Sequence, residues 1–251
     1  HNRLILNVAK TNAMLFRMRK ATCQPETELE LSLNGEIIPF VDQTVLLGIT
    51  IDNTLDFSDH IRSTCKRINS KTATIRRSLY LFSHKFRITL FKLFILSRFD
   101  YCASTLSDLK VESISCLNRT FTRSIFLLTN IKIKNINLET QHITLKAYNI
   151  LPLNLRRLFR FIAFLHSSLS LNPNSDVSSF ILKHKALRKL RTPYILPNCR
   201  NNSLKYSFSF ISLKMLNILP QKFIKLSKKS LKTFLFNNIL DLYQKSLNFF
   251  T

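Results

Sequence analysis

At Asp52 the apolar residues change period, and no single kind of element can satisfy both spacings. Before that point the period is two. Glu28-Leu29-Glu30-Leu31-Ser32-Leu33 alternates strictly, and Thr44-Val45-Leu46-Leu47-Gly48-Ile49-Thr50-Ile51 is a β-branched run. Beyond it, Ile61, Cys65, Ile68, Thr72, Ile75 and Leu79 recur at helical spacing. Strands followed by helices predict an α+β fold, with a small antiparallel β-unit over 1–52 and an all-α region after it.

Glycine is scarce, with two in 251 residues, so each one marks a backbone requirement. Asn34-Gly35 between two strand-like runs predicts a type I′ hairpin, because that turn needs positive φ at both central residues. Gly48 lies inside its run, which predicts a bulge or a close approach by another backbone or ligand. Ala13-Met14-Leu15-Phe16 reads as a further strand after a helical start.

In the helical part, Asp59 is the expected cap of the first helix. Further helices are expected over Lys85–Ser97, Val111–Leu128 and Leu138–Asn149, with Pro152 in the first turn of one running toward Leu169. Asn172-Pro173-Asn174-Ser175 reads as a break and Thr192 to Asn202 as an extended segment. Helices over Leu204–Leu219 and Ser227–Leu247 follow, parted by Pro220. This divides the chain into 1–52, 53–170 and a basic helical extension, 171–251.

Charge narrows the partners. Lys and Arg number 38 against 14 acids, a net +24, and beyond Glu112 only Glu139, Asp176 and Asp241 carry carboxylates. Such a field draws phosphate backbones or anionic membrane surfaces. The apolar runs fall far short of the ~20 residues a membrane helix needs. Chain start at His1 without a signal-peptide pattern suggests a fragment or processed piece of an intracellular protein. The five cysteines form no CxxC pair and no zinc-finger spacing, and read as reduced thiols.

Several short motifs, in order, resemble the region after the polymerase centre of non-LTR retrotransposon reverse transcriptases. Asn7, Lys10-Thr11, Met14 and Phe16 are similar to the family's palm motif that follows the catalytic aspartate pair. Leu46-Leu47-Gly48-Ile49-Thr50-Ile51-Asp52, with Leu55, Phe57, His60 and Ile61, resembles the primer-grip hairpin running into the thumb. Ser97-Arg98-Phe99-Asp100-Tyr101-Cys102 resembles a thumb-helix motif. Ile143-Thr144, Leu151-Pro152-Leu153 and Arg156 follow in family order, then Ser207-Phe208 and Asn217-Ile218-Leu219-Pro220. There are departures: Leu216 stands where the family usually has Trp, and the Gln-Asn pair expected near Leu117-Asn118-Arg119 is half present.

The resemblance implies a palm edge, primer grip, thumb and C-terminal extension of an RNA-directed DNA polymerase, held on RNA, DNA or an RNA–DNA hybrid. It implies that Lys10 reaches the phosphates of an incoming nucleotide, and that Leu47 and Gly48 bring main chain to the primer end. Polymerases clamp two metal ions with clustered aspartates. The chain has no Asp-Asp, and Asp52, Asp56 and Asp59 read as capping and loop acids. The Mg2+ of the parent enzyme is therefore expected at aspartates upstream of residue 1, with the fingers, remaining palm and endonuclease regions, and this chain alone is expected to be inactive.

Candidate phosphate-contacting groups are Arg62, Lys66 and Arg76 on the first long helix, then Arg156, Arg157 and Arg160, then a Lys-rich stretch containing Lys228 and Lys229. Arg156 and Arg160, at i and i+4, are placed to bridge neighbouring phosphates. Phe91, Phe94, Phe159, Phe161, Phe208 and Phe210 fall at helical spacing and read as core. Two other readings stay open: a free-standing basic helical RNA- or DNA-binding protein without polymerase ancestry, and a membrane-surface protein using Lys-rich amphipathic helices. The expected setting is the nucleus or cytoplasm.

Overall fold

A computed structural model of the chain describes residues 7–16, 30–106, 109–133, 137–171, 175–185, 192–198 and 207–250. It is an α+β fold: two small antiparallel two-stranded sheets followed by helices. Strands β1 (Ser32–Leu33) and β2 (Glu36–Ile37) pair across Asn34-Gly35, both at positive φ, as the Asn-Gly signal predicts. Strands β3 (Gln43–Leu46) and β4 (Ile49–Asp52) pair in register from Gln43↔Asp52 to Leu46↔Ile49.

That register moves Gly48. It is not inside a strand but in a two-residue turn, with Leu47 at φ 49° and Gly48 at φ 81°. A run of continuous β-branched residues hides such a turn, because Leu-Gly lacks the Asn or Asp that usually announces one. The expected strand at 13–16 reduces to one parallel bridge, Ala13↔Phe40. Before it, Val8–Lys10 forms a single 3-10 turn; the strictly alternating 28–33 run lies partly outside the described residues.

Helix α1 (Ser58–Arg77) buries Ile61, Cys65, Ile68 and Thr72, the predicted stripe. Its start differs from expectation. Phe57 occupies the cap position at φ 57° without a side-chain bond, and Asp59 sits in the first turn. Asp52 instead orders the segment leading into the helix: its carboxylate accepts from the N–H groups of Thr54, Asp56 and Phe57 and from the Thr54 hydroxyl, all ahead of Ser58. These bonds hold its pKa below the usual carboxylate range, against the opposing pull of burial.

Next comes a continuous rod: α2 (His84–Leu90), a π-helical segment Phe91–Leu96, and α3 (Ser97–Asp100). The π segment buries Phe91, Ile95 and Leu96. Helix α4 (Val111–Thr129) packs along α1, and Phe121 meets Phe91 and Phe99 edge-on. Ile68, Phe91, Ile95 and Ile125 are fully buried in this first core.

Helix α5 (Leu138–Lys146) leads to α6 (Leu153–Leu171), whose Leu155, Leu158, Ile162 and Leu165 belong to a second core. Leu153, the first residue of α6, still belongs to the first core and the rest of the helix to the second, whereas the sequence grouped α6 with the middle region. A helix that sequence periodicity left unassigned, α7 (Asp176–Lys183), joins the second core through Ile181, with Ser175 as its N-cap. Helix α8 (Phe208–Ile218) and α9 (Lys228–Phe250) complete it. Asn217 brackets the extended 192–198 segment, accepting from the Tyr194 N–H and donating to the Tyr194 carbonyl, both at 3.0 Å. Each fully buried Leu or Ile contributes roughly 1.5–3 kcal/mol, so these two cores, not the short ladders, hold the fold. Phe161 and Phe210 are core as expected, whereas Phe94 is 45 % exposed with the Lys71 ammonium over its ring.

Candidate nucleic-acid interface

The β3–β4 turn projects from the fold: Leu47 is 83 % exposed. Two bonds tie the hairpin to the helices. The Tyr101 hydroxyl donates to the Leu47 carbonyl, and the Thr50 N–H donates to His60 Nδ1 at 3.3 Å. Burial, with the nearby Arg67 charge, keeps His60 below its ordinary pKa. A neutral imidazole accepting at Nδ1 carries its proton on Nε2. Tyr101 was not among the residues singled out from sequence, although it lies inside one of the family-like motifs. A Cβ on Gly48 would meet only the Tyr101 ring and hydroxyl, at 3.8–4.0 Å, so space at this turn is open.

On α1, the candidate cations Arg62, Lys66 and Arg76 are all exposed. At about 100° per residue they fall within an arc of about 80°, beside the buried stripe and not opposite it. Arg62 reaches Asp59 at 3.2 Å, but both side chains are solvated, which makes the pair weak. Arg76 lines a cleft of about 470 Å³ between α1 and α4 together with Arg77 and Arg123, and the lining includes no acid. Thr72, buried at the same cleft, has a hydroxyl without a hydrogen-bond partner. Lys10 ends the 3-10 turn at 8–10 and is exposed.

The arginines of α6 are not a free face. Arg156 and Arg160, expected to bridge neighbouring phosphates, instead clamp one carboxylate. Arg156 Nε and Nη2 donate to the two oxygens of Asp100, each at 2.5 Å, and Arg160 adds a further bond. Burial raises the Asp100 pKa, but the two guanidiniums outweigh it and hold the carboxyl below its ordinary value. Arg157 donates to the Leu106 carbonyl at 2.5 Å, and burial lowers its pKa to about 10. The i, i+4 spacing was read correctly as one face, but that face points at α3. Only a rare acid such as Asp100, four residues beyond Leu96 in the rod, hints at this in the sequence.

Lys228 and Lys229 open α9 and are exposed, with Ser227 accepting from the Ser230 N–H at 3.2 Å. Cations at a helix N-terminus oppose the macrodipole, so these lysines are not there for helix stability. Asp52, Asp56 and Asp59 do not suit a metal pair. Asp52 is filled by backbone donors, Asp56 takes the Ser58 hydroxyl and the Lys110 ammonium at 2.8–2.9 Å, and Asp59 faces Arg62 and Gln43. Among the described residues no cluster of His, Cys, Asp and Glu suits a metal ion, and no helix is long and apolar enough to cross a membrane. Cys65, Cys102 and Cys116 are free thiols, and burial pushes Cys65 up to about 11. The chain matches no protein-family model, no curated protein and no solved structure.

Proposed function

We propose that this chain grips a nucleic-acid duplex, as the primer-grip and thumb part of a non-LTR retrotransposon reverse transcriptase. The observation that carries the reading is the exposed cationic arc of α1, on a helix to which a projecting hairpin is bonded through Thr50 and His60, in a chain of net +24. Arg62, Lys66 and Arg76 neutralise backbone phosphates, while the 47–48 turn, with open space around it, presents main chain to the primer end. Lys10 serves the phosphate side of the nucleotide. Lys228 and Lys229 extend the electrostatic track. Arg156 and Arg157 are given no phosphate, since both are taken up inside the fold, and Arg160 only at its solvated side. The Mg2+ chemistry of such an enzyme has no fitting carboxylate set among the described residues. Its setting is the nucleus or cytoplasm, where primer–template duplexes occur.

The test is a salt titration of full-chain binding to an RNA–DNA primer–template. Roughly five to eight neutralised phosphates predict a log–log slope near −0.9 per contact on B-form duplex. Arg62→Gln, Lys66→Gln and Arg76→Gln should each flatten that slope by about one unit and weaken all sequences alike. A slope near zero, or equal binding to anionic vesicles that the three substitutions leave untouched, would refute the reading.

A further inference from the structure

Behind the 47–48 turn lies a cavity of about 240 Å³, lined by residues of the turn, α1, α3, α4 and α6. Its apolar surface includes Ile61, Phe99, Leu106 and Leu117. Three arginines, Arg67, Arg98 and Arg157, are among the lining residues with His60 and Tyr101, and no acidic residue is. The nearest acid in sequence, Asp100, is held by Arg156 and Arg160. Arg157 is the telling member. Its hydrogen-bond acceptor is a neutral carbonyl, and even with its pKa lowered to about 10 it stays cationic at neutral pH. A half-buried cation whose acceptor is a neutral carbonyl is only partly compensated, and an oxyanion offered to its planar fork would offset the remaining cost. His60 adds a neutral Nε2–H donor, because its Nδ1 accepts from Thr50.

We propose that this cavity binds a small amphiphilic anion: an oxyanion, carboxylate or phosphate monoester, on an apolar body of one or two rings. Drug-sized ligands occupy ~300–1,000 Å³, so a cavity below that range takes a smaller molecule. The guanidiniums take the oxyanion and the Ile61–Phe99–Leu117 surface takes the rings. This goes beyond the duplex-binding reading and does not depend on it, since a bare backbone phosphate would leave the apolar lining unused.

The experiment is a fluorescence titration of nucleic-acid-free full chain with 1-naphthyl phosphate, using 1-naphthol and inorganic phosphate as the separate halves of the probe. The expected result is saturable binding of the ester, with either half at least about tenfold weaker. Arg67→Gln and Arg98→Gln, both at exposed positions where folding should be spared, should each weaken the ester about tenfold, the scale of one charge-assisted hydrogen bond. Lys228→Gln with Lys229→Gln, far along the chain, should leave it unchanged. If 1-naphthol binds as tightly as the ester, the cavity is merely apolar and the proposal fails. Inorganic phosphate binding as tightly, or unchanged affinity in both arginine variants, would overturn it equally.

Discussion

Asp100 shows what one carboxylate does in a chain so short of them. It is 13 % exposed, and its main partner Arg156 is 18 % exposed, so the pair is largely withdrawn from water. Removing one partner of such a pair leaves an uncompensated charge, at a cost of about 3 kcal/mol. Asp100→Asn should therefore lower the thermal midpoint substantially, and a calorimetric scan at neutral pH checks it. The pair also sets an acid limit. The folded pKa lies below the ordinary 3.8, so its stabilisation is complete above that value and fades as pH falls through the depressed one. Asp100→Asn should flatten this part of the pH–stability profile, and an unchanged acid limb in the variant would count against the assignment. The same residue explains why the arginines of α6 could not be placed from sequence. Their spacing shows that Arg156 and Arg160 share a face, but not what that face meets.

At the scale of elements, the β3–β4 hairpin and its junction with α1 are the informative pair. Gly48 at φ 81° sits where an L side chain is strained whatever the space around it. Gly48→Val is thus no neutral probe of nucleic-acid contact, since a β-branched residue there also disfavours the turn. Gly48→Asn keeps access to the left-handed region. We expect Gly48→Val to destabilise by about 1–2 kcal/mol and Gly48→Asn by clearly less, measured by urea unfolding of the full chain. Equal, negligible effects would mean the turn relaxes freely. Comparing duplex binding in the Asn variant then isolates the added side chain from the backbone strain. Helix α1 teaches a related lesson. Its buried stripe was legible because burial follows the 3.6 period, whereas its start was not. Asp59 has the right chemistry for a cap, but the helix starts at Ser58 and leaves Asp59 inside the first turn, while Asp52 organises the turn that precedes it.

At the scale of the whole molecule, a net +24 opposes compaction, and the described ion pairs are few. Screening that self-repulsion should stabilise the fold. The thermal midpoint of the full chain should rise as salt increases from low ionic strength, and rise further with a duplex present, as a ligand of the folded state requires. A midpoint that falls on adding RNA–DNA duplex would indicate that the duplex prefers the unfolded chain.

What the sequence determined by itself was the division at Asp52, the Asn34-Gly35 hairpin, the buried face of α1 and the order of most helices. Each rests on interactions between residues close along the chain, where periodicity and φ preference act directly. Only the tertiary structure decided the rest. It turned Gly48 from a strand residue into a turn residue, inserted a π segment over Phe91–Leu96, and gave α6 beyond Leu153 to the second core. It also closed Arg156 and Arg160 on Asp100 and set Tyr101 against Leu47, across 54 or more residues of chain. Those outcomes depend on which surfaces meet, and the energy of a meeting is not written in the spacing of either partner.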